Sequence, residues 1–107
     1  MNIATEIVTM SLVEGVGNDE FIKIVSGLER EFHSKLQGFV DSELLFNEKS
    51  NEWIIIQHWS SLDNMRAASK QMFNNPLTEN FVKSLDPKSV KMLMLPQLGT
   101  WGCETIF

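Results

Sequence analysis

A chain of 107 residues, 43% hydrophobic and 21% charged, is sized for one globular domain with a single core. Its net charge of −5 and its scattered basic residues argue against a nucleic-acid or anionic-membrane surface, and no apolar run approaches the length of a membrane span. A lone cysteine, Cys103, cannot form an internal disulfide and residues 1–6 lack a basic leader, so the expectation is a cytoplasmic protein.

The β-branched run over residues 3–12 predicts a first strand. Gly15 and Gly17 break it, and Asn18 or Asp19 then caps a helix whose apolar positions are Phe21, Val25, Leu28 and Phe32. That helix is expected to run to residue 36 and stop before Gly38. On it, Glu31 and Lys35 form an exposed ion pair, Glu29, Arg30 and Glu31 make a solvated face, and His33 meets the C-terminal helix dipole. Residues 39–46 predict a second strand, 47–52 a polar turn, and 53–59 a third strand. Ser60, followed by Asp63, is a near match to a capping box that starts a second helix over residues 62–73. Asn74, Asn75 and Pro76 stop it, residues 78–85 form a short helical turn, and residues 90–95 make a fourth strand.

The order β-α-β-β-α-β predicts an α+β, ferredoxin-like fold: a four-stranded antiparallel sheet with two helices on one face. Residues 1–98 are read as the domain and 99–107 as a C-terminal tail. Two helices cover one face only, yet both faces of the third and fourth strands are apolar. Ile54, Ile56 and His58 alternate with Trp53, Ile55, Gln57 and Trp59, and the aliphatic set is expected beneath the helices. A homodimer packed through its sheets would cover the remaining face, with the tail lying on the partner.

The motif Ile56-Gln57-His58-Trp59-Ser60-Ser61-Leu62, a strand ending in Trp that runs into a capped helix, resembles the antibiotic-biosynthesis-monooxygenase (ABM) domains of the dimeric α+β barrel superfamily. The likeness covers residues 3–96 in element order. It implies a monooxygenase that needs no bound cofactor and acts on a small aromatic phenol or quinol, because an electron-rich substrate anion can itself deliver electrons to oxygen. It does not imply heme degradation. That branch requires an Asn on the first strand and a Trp and a His on the second helix; here the strand reads Thr5, Glu6, Ile7, Val8, and the helix carries neither.

His58, a titratable group in an apolar strand, is the candidate base that would take a phenolic proton. Trp59 would stack on an aromatic ligand, Arg66 would hold an oxyanion, and Met65 would supply a soft pocket wall. Each has a plainer reading: strand-end packing for Trp59, a satisfied interface group for His58, a solvated helix position for Arg66 and core filling for Met65. Two histidines and one cysteine show no metal-ligand spacing, and no phosphate loop or nucleophile elbow is present. The alternative to an enzyme is a non-catalytic dimeric module that binds a small apolar ligand or acts as a scaffold.

Overall fold

Strand alternation and the bulk of two tryptophans decide the inside of this molecule. In the computed structural model, which describes residues 2–102, the strands are β1 (Ala4–Met10), β2 (Phe39–Asn47), β3 (Glu52–Trp59) and β4 (Lys91–Pro96). They form one antiparallel sheet in the order β2-β3-β1-β4, the expected ferredoxin-like arrangement. Helices α1 (Asn18–Glu31), α2 (Leu62–Lys70) and α3 (Glu79–Ser84) supply the cover.

The inner face of β3 carries Trp53, Ile55, Gln57 and Trp59, all buried, while Ile54, Ile56 and His58 lie on the outer face. This reverses the expectation that the aliphatic set would lie beneath the helices. The physical reason is aromatic packing. Trp53 lies 5.0 Å from the Phe21 ring of α1 and 4.6 Å from Phe46, and Phe21 in turn stacks on Phe81 of α3 at 5.9 Å. Such pairs add about 0.5–1.5 kcal/mol each beyond the area they bury. Trp59 makes the equivalent centre at the other end of the sheet, with Ala4, Met65 and Ala68.

Two helix boundaries depart from expectation. The first helix ends at Glu31, and the chain tightens into a 3-10 turn over His33–Lys35, with Leu36 N donating to His33 O at 3.0 Å. The turn keeps His33 buried. Gly38 (φ 86°) then reverses the chain into β2, and a Cβ there would lie 2.6 Å from Asn64 side-chain carbons. The second helix ends at Lys70, short of Phe73, and Asn74 takes a left-handed conformation (φ 59°) before Pro76. Its cap is Ser61, whose Oγ accepts from Asn64 N at 3.0 Å; Ser60 binds the Asn64 side chain instead. The expected Glu31–Lys35 pair is present at 3.7 Å on the surface.

Among the described residues nothing covers the outer face. Leu45, Leu93 and Leu95 are exposed there, flanking half-buried Ile7, Ile54 and Ile56 in register across the sheet. Beyond β4, Gln97 N donates to Ile3 O at 2.8 Å, and residues 98–102 carry no regular structure, with Leu98 and Trp101 almost fully exposed. Most of the tail expected to lie on a partner, residues 103–107, falls outside the described residues.

Candidate functional site

One polar row crosses the otherwise apolar inner face. Register places Ser42 of β2 beside Gln57 of β3, Gln57 beside Glu6 of β1, and Glu6 beside Met94 of β4. Gln57 is 2% exposed and Glu6 is 7% exposed, so both are taken from water. The end of α1 lowers two more polar groups onto this row. Glu29 and His33 are one helical turn apart, and the carboxylate binds His33 Nδ1. Glu29 is thus partly buried and bonded rather than part of a solvated face.

The proton positions follow from the partners. Gln57 Nε2 donates to Glu29 Oε1 at 2.7 Å, because the opposite amide orientation would set two acceptors against each other. Glu29 Oε2 accepts the proton on His33 Nδ1. The 3.3 Å approach of Gln57 Nε2 to Nδ1 is then a meeting of two donors that share one carboxylate. With Nδ1 protonated, the lone pair of the ring lies on Nε2, which has no hydrogen-bond partner among the described residues. Gln57 Oε1 is also buried without a donor. An unmet acceptor of this kind costs about 1–3 kcal/mol, so Gln57 Oε1 has hydrogen-bonding capacity to spare beside the cluster.

The two carboxyls of the cluster are driven apart. Burial alone would raise Glu29, but hydrogen bonds from His33 and Gln57, with the charge of His33, outweigh it and hold the carboxyl below its ordinary value. Burial raises Glu6, His33 offsets this in part, and the neighbouring Glu29 raises it further. The two carboxyls are thus shifted in opposite directions, Glu29 down and Glu6 up. Opposed environments of this sort separate acid and base roles in catalytic sites.

A cavity of about 330 Å³ lies against this cluster, at the lower end of the range of about 300–1,000 Å³ seen for small-molecule sites. Its polar lining is Glu6, His33, Gln57 and Ser69. The rest is apolar, including Val8, Ile55, Met72, Phe81 and Met92. A neighbouring hollow of about 460 Å³ shares Met72, Phe73 and Val82 with it. The ionisable residues of that hollow, Glu79 and Lys83, are exposed and paired at 2.6 Å. Among the described residues no group of three or more His, Cys, Asp or Glu side chains is placed to hold a metal.

The residues singled out in the sequence are not gathered here. His58 is on the outer face with Nδ1 2.6 Å from Asp41 Oδ1. Trp59 and Met65 pack on one another's cluster in the core, Trp59 with a buried, unpartnered Nε1. Arg66 is largely exposed, 4.0 Å from Asp63. The cluster that the sequence reading passed over, Glu6, Glu29, His33 and Gln57, did leave a signal. Glu29 and His33 share an i,i+4 helix face, and Gln57 shares a strand face with both tryptophans.

No family model matches the chain, and no curated protein matches it by sequence. Its fold does match solved structures. A mutant of SnoaB, a cofactor-independent oxygenase from Streptomyces nogalater, superposes with TM-score 0.73 at 18% identity, covering 94% of this chain and 97% of that one. A protein of Bordetella bronchiseptica, provisionally assigned as an antibiotic biosynthesis monooxygenase, gives TM-score 0.74 at 12% identity over 92% and 99%. One of the same provisional assignment from Chloroflexus aurantiacus gives 0.62 at 17% over 94% and 97%. No helix among the described residues is long and apolar enough to cross a membrane. The chain has the fold of the ABM-type monooxygenase domains.

Proposed function

We propose that the protein is a cofactor-independent monooxygenase acting on a small aromatic phenol or quinol. The observation that carries this reading is an apolar cavity whose polar lining includes His33, Gln57 and Glu6, with the Glu29 carboxylate bonded to both His33 and Gln57. Apolar walls suit fused aromatic rings, and the cluster suits removal and return of a proton. The likeness of fold to an oxygenase described as cofactor-independent supports the same reaction class.

The chemistry balances with dioxygen as oxidant. Loss of a proton from an anthrone-type substrate gives an anion that combines with oxygen to form a hydroperoxide. Loss of water then turns the original methylene into a carbonyl. One oxygen atom enters the product, the other leaves in water, and the substrate supplies all four electrons. Oxygen uptake by purified protein with 1,8-dihydroxyanthrone, corrected for the uncatalysed rate, tests the reading. Binding of the probe with no uptake above that rate would instead make the protein a ligand-binding module.

The same reading includes a homodimer closed through the outer sheet faces, supported by the uncovered leucines and isoleucines there. The His58–Asp41 pair would then be enclosed by the partner. Light scattering at micromolar concentration should give a dimer. Deletion of residues 99–107 should weaken it, because Trp101 is almost fully exposed and has apolar surface to offer a partner.

A further inference from the structure

We propose that His33 is the catalytic base of the cavity, oriented by Glu29, and that Gln57 is a positioning residue acting through that carboxylate. The proposal rests on the monooxygenase reading and adds the group that performs its proton transfers. Its basis is geometric. Glu29 and Gln57 occupy the Nδ1 side of the imidazole, and Nε2 keeps a lone pair with no partner among the described residues. His33 lines the cavity, and its ring is fixed by Phe32 at 4.9 Å, Phe39 at 6.3 Å and Trp59 at 6.0 Å. A carboxylate bound to one ring nitrogen both selects the tautomer and stabilises the imidazolium that forms when the other accepts a proton. Nothing about surface solvation requires such an arrangement, since the imidazole is 6% exposed and its partner Gln57 is 2% exposed.

The step moves a proton and no electrons. The methylene C–H bond of the substrate, or the O–H bond of its enol tautomer, breaks, an N–H bond forms on Nε2, and the delocalised substrate anion faces an imidazolium whose charge Glu29 balances. After oxygen adds to the anion, the imidazolium returns the proton to the peroxide oxygen and the base is restored. Glu29 from α1 and Glu6 from β1 are the ionisable groups that bear on His33; Gln57, Phe32, Phe39 and Trp59 bring no charge. Glu6, buried next to the cluster, is the group whose ionisation would next alter the base as pH rises.

His33→Asn is the decisive variant, since its amide can still donate to Glu29 while offering no basic nitrogen. With 1,8-dihydroxyanthrone, kcat should fall about 100- to 10,000-fold, the usual range for loss of a general base. The dissociation constant, read by quenching of tryptophan fluorescence, should change by no more than a few fold. Glu29→Gln should lower kcat and displace the pH–rate profile, which a purely structural role would leave in place. Turnover and pH profile unchanged in His33→Asn would overturn the assignment and leave the oxygenase reading standing. Turnover lost in His58→Ala but kept in His33→Asn would move the base to the outer face. No turnover by the wild type would remove the oxygenase reading and the base role with it. If His33→Asn does not fold, bound 4-nitrophenol gives the answer in the wild type. It should absorb as the phenolate at a pH where the free probe is neutral, and absorption as the neutral phenol would overturn the proposal.

Discussion

The two faces of the sheet have similar apolar content and different fates. Beneath the helices lie Trp53, Ile55 and Trp59, buried within the chain, and among them a row of polar groups, Ser42, Gln57 and Glu6. On the outside lie Ile54, Ile56, Leu93 and Leu95, with no cover among the described residues, and a His58–Asp41 pair that meets water. A polar pair at a wet surface costs little and says little. A polar row across a covered face costs desolvation that packing alone never requires. That contrast is why the inner cluster, and not the outer histidine, is read as the site.

The largest break in the contrast is expected on the inner face. Trp53→Ala removes a side chain that touches Phe21 and Phe46 and should cost about 3–5 kcal/mol in denaturant unfolding. A loss below about 1 kcal/mol would mean that the rings of this face are not the core. The outer face should answer differently. Leu93→Asp is predicted to leave the monomer folded while dissociating the proposed dimer. The change occurs twice about a two-fold axis, and each buried leucine is worth about 1.5–3 kcal/mol, so dimer affinity should drop at least about 100-fold. A Leu93→Asp protein that stays dimeric by sedimentation would place the interface elsewhere.

Much of this architecture was legible in the sequence, and the exception is instructive. Element order and the β2–β3 hairpin follow from local patterning, whereas the caps shift by a residue, to Gly17 before α1 instead of Asn18 or Asp19 and to Ser61 before α2 instead of Ser60. The two faces of β3 were separated correctly by alternation. Which face turns inward was not. Both sets are apolar, so periodicity assigns partners to Ile54 and Trp53 but no direction. Direction comes from long-range fit, in this case Phe21 and Phe81 arriving over Trp53. The site depended on the same choice. With Ile54, Ile56 and His58 turned inward, His58 would be the buried histidine; with the tryptophans inward, Gln57 takes its place and meets His33. The shift of His33 into the cluster rests on the 3-10 turn after Glu31, which no helical periodicity forecasts.

A smaller effect sharpens the point about that turn. Gly38 holds φ 86°, and a side chain there would press on Asn64, which is bound by Ser60 and Ser61 at the start of α2. Gly38→Ala should cost about 1–2 kcal/mol from the left-handed backbone, with the Asn64 overlap adding to it. A neutral substitution in thermal melts would show that the turn relaxes freely.

The smallest expected effect concerns Glu6, and here the sign identifies the mechanism. Burial raises the folded-state pKa of Glu6 above its ordinary value, so between the two values the native state holds a proton that the unfolded state has lost. Stability therefore declines as pH rises from the ordinary carboxyl range through the raised folded value, and the full penalty stands above it. Glu29 acts in the opposite sense. Its folded value is depressed, so its contribution is complete above the ordinary carboxyl range and is lost as pH falls through the depressed value. Glu6→Gln removes the first slope and leaves the second. The variant should be more stable than the wild type at neutral pH, and the difference should fade as pH drops into the ordinary carboxyl range. Melting curves of both proteins across that interval make the test. A variant less stable at neutral pH would mean that ionised Glu6 is stabilised by its surroundings rather than penalised by its burial.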